Sequence, residues 1–145
     1  MKKAIIFASV TILLVGLLAG CATDWVALYN DDARIAASRD RFSARVAVQK
    51  NTMGEYSYRA NKFSGIMVLQ NNFTVGEDGV VECEFSFEGG RTKLVLVKGG
   101  NVYLLTDTPT DGEGFAKITT DAPSGSGYTL KLVSEGAKLS VRVKK

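Results

Sequence analysis

From Asp40 to the C-terminus, apolar residues recur with period two, in runs separated by Gly, Asn, Asp and Pro. Successive side chains of a strand point to opposite faces, so this pattern specifies strands with at least one buried face, and no helical stripe interrupts it. Ala44, Val46 and Val48 share a face, and Tyr56 and Tyr58 make a second run. Residues 63–75 carry Ile66, Val68, Phe73 and Val75 around a polar Gln70-Asn71-Asn72 break. In residues 80–87, Val81, Cys83, Phe85 and Phe87 alternate with Glu82, Glu84 and Ser86. Lys93-Leu94-Val95-Leu96-Val97 is apolar on both faces, as expected of a central strand covered on each side. Chain reversals are expected at 76–79, 88–91, 98–101 and 123–127. Between them lie runs at 102–105 and 115–119. The last two runs, 128–133 and 139–143, read as a hairpin closed by Ser134-Glu135-Gly136-Ala137. Roughly eight or nine short strands at spacings near ten residues imply an all-β fold, an antiparallel β-sandwich or flattened barrel of about eight strands.

The N-terminal part is of another kind. A charged Met1-Lys2-Lys3 precedes an uncharged run over residues 4–18, and small residues Ala19 and Gly20 lead to Cys21. This is the order of an export signal, and the run is shorter than the twenty or so apolar residues needed to cross about 30 Å of hydrocarbon. Leu18-Ala19-Gly20-Cys21 resembles the bacterial lipobox, in which a peptidase cuts before a cysteine that already carries diacylglycerol. The resemblance implies a covalent lipid on Cys21, as a diacylglycerol thioether plus an N-acyl chain such as palmitate. One chain holds a protein only marginally, whereas two or three make release negligible. The expected organisation is therefore a signal peptide over 1–20, a lipidated tether over 21–39 and a β-sandwich domain over 40–145. Within the tether, Trp25, Leu28, Tyr29, Ile35 and Ala36 follow a short helical stripe after a cap at Thr23 or Asp24. Ala22 after the cysteine resembles the outer-membrane sorting pattern of double-membrane bacteria. In a single-membrane organism the same anchor faces outward.

Loss of residues 1–20 removes Lys2 and Lys3 from the eighteen basic side chains, leaving sixteen against fifteen acidic ones. That balance lacks the basic stripe that binds nucleic-acid phosphates, and no polybasic segment adjoins Cys21. The expected partners are the membrane, through the lipid, and an unidentified protein or glycan. With Cys21 acylated, Cys83 is the sole remaining thiol and no intramolecular disulfide forms. Its place on an apolar strand face marks it as buried and inert.

The chain has no histidine, which removes the commonest general base, the commonest metal ligand and every His-dependent triad. No phosphate-cradling glycine motif is present either, and no cofactor is expected. Asp107, Asp111 and Glu113 lie within one polar loop and are the only metal candidates, as hard oxygen ligands for calcium, although their spacing is not that of an EF-hand. A carboxylate-dependent hydrolase would require two such groups to converge across a cleft. Tyr56, Tyr58, Tyr103 and Tyr128 could stack on sugars or peptides, or cap the core.

Two resemblances bear on function. The segments 90–97, 127–133 and 137–141 are similar to the C-terminal half of small β-sandwich lipoproteins of bacterial surfaces. Ser124-Gly125-Ser126-Gly127-Tyr128 with downstream Lys138 resembles the Ser-Gly-x-x-Tyr motif and lysine of membrane-bound lysozyme inhibitors, which are small lipid-anchored β proteins. That resemblance implies that Ser124, Gly125 and Tyr128 form a loop entering the lysozyme cleft, with Lys138 adding charge. The disulfide of that family has no counterpart here. The leading expectation is a non-enzymatic, lipid-anchored envelope protein with a binding or structural role. The alternatives are a lysozyme inhibitor and a carboxylate-dependent hydrolase.

Overall fold

Two of the expected chain reversals, at 88–91 and 134–137, bend the chain without turning it back, and this decides the architecture. The computed structural model describes residues 23–108 and 112–144. Two helices, α1 (Trp25–Tyr29) and α2 (Asp32–Ala37), precede seven strands. These are β1 (Arg41–Asn51), β2 (Glu55–Val75), β3 (Val80–Glu88), β4 (Arg91–Lys98), β5 (Asn101–Thr108), β6 (Gly112–Thr119) and β7 (Gly125–Lys144). The expected hairpin of 128–133 with 139–143 is a single strand, β7, and the runs at 56–58 and 63–75 merge into β2.

All pairings are antiparallel and belong to one sheet. β2 and β7 run together along almost their full lengths and form its spine. The other edge of β7 is shared: β3 pairs with its C-terminal half, from Cys83↔Val143 to Glu88↔Lys138, and β4 with its N-terminal half, from Arg91↔Glu135 to Val97↔Thr129. β3 and β4 thus continue one another along β7 in unbroken register, and Gly89-Gly90 bends the line instead of reversing it. Gly136 on β7 and Gly65 on β2 lie beside that bend, and all four glycines have positive φ, a region that costs them little for lack of a Cβ.

The bend divides the sheet into two halves whose inner faces share one apolar cluster. Tyr56, Tyr58, Ala60 and Phe63 of β2, Val81, Cys83 and Phe87 of β3, and Leu139, Val141 and Val143 of β7 come from one half. Met67, Leu69 and Phe73 of β2, Leu94 and Leu96 of β4, and Leu130 and Leu132 of β7 come from the other. The result is sandwich-like but made from one sheet. It does not close into a barrel, because β5 and β6, which end the two branches, are not hydrogen-bonded to each other.

The inner face falls on even positions of β7 before Gly136 and on odd positions after it, so one left-handed residue shifts the alternation. Register shifts in β1 do the same to the expected Ala44-Val46-Val48 face. Ala44 packs on the core while Val48, paired with Arg59, is 61% exposed on the outer face.

The segment expected as a tether is packed from Trp25 onward. Leu28, Tyr29 and Ile35 are buried against Ile66, Val95, Val97 and Val133 on the outer face of the β4 half. This is why residues 93–97 are apolar on both faces: the core covers one and the helices the other. Asp24 and Asp31 cap the helices, accepting from the backbone N–H of Ala27 at 3.0 Å and Arg34 at 2.9 Å. The C-terminus of α2 is held by Lys131 of β7. Its Nζ donates to the carbonyls of Ile35 at 2.7 Å, Ala36 at 3.1 Å and Ser38 at 2.6 Å.

Candidate functional site on the uncovered sheet face

Among the described residues no helix packs on the outer face of the β3 half. Alternation places Glu82, Glu84, Ser86 and Glu88 of β3, Lys138, Ser140, Arg142 and Lys144 of β7, and Glu55, Ser57, Arg59 and Asn61 of β2 on that face. Antiparallel register sets opposite charges side by side. Lys138 pairs with Glu88 at 2.5 Å and Lys144 with Glu82 at 3.0 Å. Arg142 bridges two strands, with Glu84 at 2.9 Å on one side and Glu55 at 3.3 Å on the other. These side chains are 30–67% exposed, so the pairs order the surface more than they stabilise it.

The face is dished into an open depression of about 750 Å³, with Lys50, Arg59, Ser140, Glu84 and Phe85 among its lining residues. Lys50 and Arg59 have no carboxylate partner among the described residues. The depression therefore offers two uncommitted cations beside a ladder of paired charges and hydroxyls. Such a lining can make hydrogen bonds and charge contacts to a polar surface. Pairing of Ser140 with Arg59 on one side and Ser86 on the other puts the hydroxyls at its centre. The alternation of residues 80–88 carried the signal for this face, but the partner strand was hidden as long as β7 read as a hairpin.

The candidates taken from the sequence are scattered. Leu18, Ala19, Gly20, Cys21 and Asp111 lie outside the described residues, and Glu113 is described only as part of the backbone of β6. Asp107 is committed elsewhere: it accepts a hydrogen bond from Tyr29 Oη at 2.5 Å and helps dock α1. Among the described residues no group of three acidic, thiol or imidazole side chains is placed to hold a metal ion. Ser124 is exposed just ahead of β7, and Gly125 opens that strand. The Tyr128 ring is buried, its Oη donates to the Pro123 carbonyl at 2.6 Å, and Lys98 Nζ sits 4.7 Å from the ring centroid. Lys138 is on the other half, beyond the bend, so on the order of 40 Å of strand separates it from Ser124 at about 3.3 Å per residue. The structure does not bring Ser124 and Lys138 to one rim, as an inhibitor loop requires.

Of the four tyrosines considered as a stacking surface, Tyr56, Tyr58 and Tyr128 are buried in the core. Tyr103 packs edge-on against Tyr128, with centroids 6.0 Å apart. Cys83 is buried, and burial pushes its thiol up to about 11, which matches an unreactive core cysteine. Among the described residues no helix is long and apolar enough to cross a membrane. Compared with known proteins, the chain matches no family model, no curated protein sequence and no solved structure.

Proposed function

We propose that the chain is a lipid-anchored, non-enzymatic protein of the bacterial cell envelope that presents the open charged face of its β3 half to a protein or glycan partner. The single observation that carries the anchor is Leu18-Ala19-Gly20-Cys21 directly after a charged start and an uncharged run of fifteen residues. The lipid is a diacylglycerol thioether and an N-acyl chain on Cys21, and no cofactor is called for. In a bacterium with two membranes the anchor sits in the outer one, following Ala22. In a bacterium with one, it sits on the outer face of the cell membrane.

Support for a binding role comes from the depression with its mixed charges, its central hydroxyls, and Lys50 and Arg59, which have no carboxylate partner among the described residues. Metabolic labelling with a radioactive or clickable fatty acid tests the anchor. Wild type takes up label and fractionates with membranes, whereas Cys21→Ala does neither. Equal labelling of the two would overturn the reading.

A further inference from the structure

The anchor and the packed helices together fix how the domain would sit. Trp25 lies four residues after Cys21, a span of at most about 14 Å when fully extended. From Trp25 the chain is fastened to the body. Leu28 and Tyr29 are buried, Tyr29 Oη is bonded to Asp107, the Arg91 guanidinium lies 4.3 Å from the Tyr29 ring centroid, and Lys131 holds the end of α2. A domain of this size has a radius of gyration of about 14 Å. The free span is thus no longer than the domain's own radius, and it starts from the outer face of the β4 half.

Resting on the proposed lipid anchor, we infer that the domain does not swing on a tether but lies against the lipid surface with α1 toward the bilayer. The partner of this face is the bilayer interface itself. Trp25 is part-exposed and Val26 is 50% exposed on α1, an amphipathic ring and an apolar side chain within five residues of the acylated cysteine. On the helices and their caps Asp24, Asp31 and Asp32 outnumber Arg34, which is itself paired with Asp31, so attraction to anionic headgroups does not hold the face down. The short covalent span and the burial of apolar groups do. The β3 half forms the far layer, and its charged depression faces away from the membrane, accessible to a partner.

The sole tryptophan of the chain makes this testable. Full-length protein, processed and acylated in a bacterial host, is reconstituted into phosphatidylcholine vesicles with or without lipids brominated near the headgroup. Co-sedimentation is scored first. Trp25 emission is expected to fall at least twofold with the brominated lipid. Met53→Trp in a Trp25→Phe background, fully exposed at the far tip of the β1–β2 hairpin, is expected to be unaffected. Val26→Trp in the same background repeats the near-side reading at an exposed position. Vesicle-bound protein in which neither near-side probe is quenched, or in which Met53→Trp is quenched equally, overturns the orientation while leaving the anchor intact. Failure of wild type to co-sediment overturns the anchor and this inference with it.

Discussion

Tyr29 and Tyr56 are both buried tyrosines, and their hydroxyls differ in a way that gives opposite expectations. Tyr29 Oη donates to a carboxylate, whereas Tyr56 Oη and Tyr58 Oη are buried among the core residues with no partner among the described residues. A buried donor without a partner carries its desolvation cost uncompensated. Tyr29→Phe is therefore expected to lose about 1–2 kcal/mol in urea denaturation, while Tyr56→Phe is neutral or gains up to about 1 kcal/mol. The same burial sets the alkaline limit. It pushes Tyr56 from 10.0 up to about 12, with the neighbouring Tyr58 and Asp40 acting in the same direction, and Cys83 from 9.0 up to about 11. Both groups titrate at ordinary values in the unfolded chain and later in the fold. The stability linked to them is intact below pH 9 and is lost as pH rises through 9–11 for Cys83 and 10–12 for Tyr56. Lys131 acts in the opposite sense: burial lowers it, with Asp40 partly offsetting this, so its contribution rises with pH in the window below 10.5. The urea midpoint is expected to fall between pH 8 and pH 10.5, and Cys83→Ala to flatten the first part of that fall. At this scale the sequence revealed the buried state of Cys83, since alternation alone placed it on an apolar face. It could not reveal that Asp107 would meet a tyrosine 78 positions away, because no local pattern encodes that distance.

At the scale of elements, glycines separate true reversals from bends. Gly99-Gly100 joins β4 to β5 with positive φ at both positions, the turn that matches strand twist, and it behaves as the sequence pattern expects. Gly89-Gly90 has the same signature in sequence yet only bends the chain, because β3 and β4 both find their partner in β7. Local composition marks where the backbone leaves the extended region. The choice between hairpin and bend belongs to the long-range pairing, which is why seven long strands stand where eight or nine short runs were legible. Space at the bends differs, so substitutions there sort by position. A Cβ at Gly90 would lie 2.1 Å from the Glu135 carbonyl oxygen, and one at Gly65 would lie 2.2 Å from that of Arg41. At Gly136 a Cβ meets nothing within 4 Å. Gly90→Ala and Gly65→Ala combine a left-handed φ with a backbone collision and are expected to cost about 3 kcal/mol or more, against about 1 kcal/mol for Gly136→Ala. Urea melts of the three variants check the ranking, and equal losses would contradict the role given to the bends.

At the scale of the molecule, the helices decide whether the sheet can exist alone. The sheet has two halves, and the β4 half must be covered on both faces because Val95, Val97, Ile66 and Val133 point away from the shared core. Without α1 and α2 these side chains and the ammonium group of Lys131 would lose their cover together, leaving an apolar patch on one face of a small domain. Period-two reading marks the strand 93–97 as covered on both faces but does not say by what, because the short helical stripe over residues 25–36 reads equally well as part of a tether. The consequence is a sharp difference between two truncations. A chain of residues 23–145 keeps both helices and is expected to unfold cooperatively with the stability of the longer chain. A chain of residues 40–145 loses Leu28, Tyr29 and Ile35, each of which would expose about 1.5–3 kcal/mol worth of burial if left in water, together with the surfaces they cover. It is expected to bind a hydrophobic dye, to self-associate and to lose its sharp melting transition. A passive linker over 21–39 would instead leave the two truncations equally stable, so comparing their thermal transitions by circular dichroism tells a structural layer from a tether.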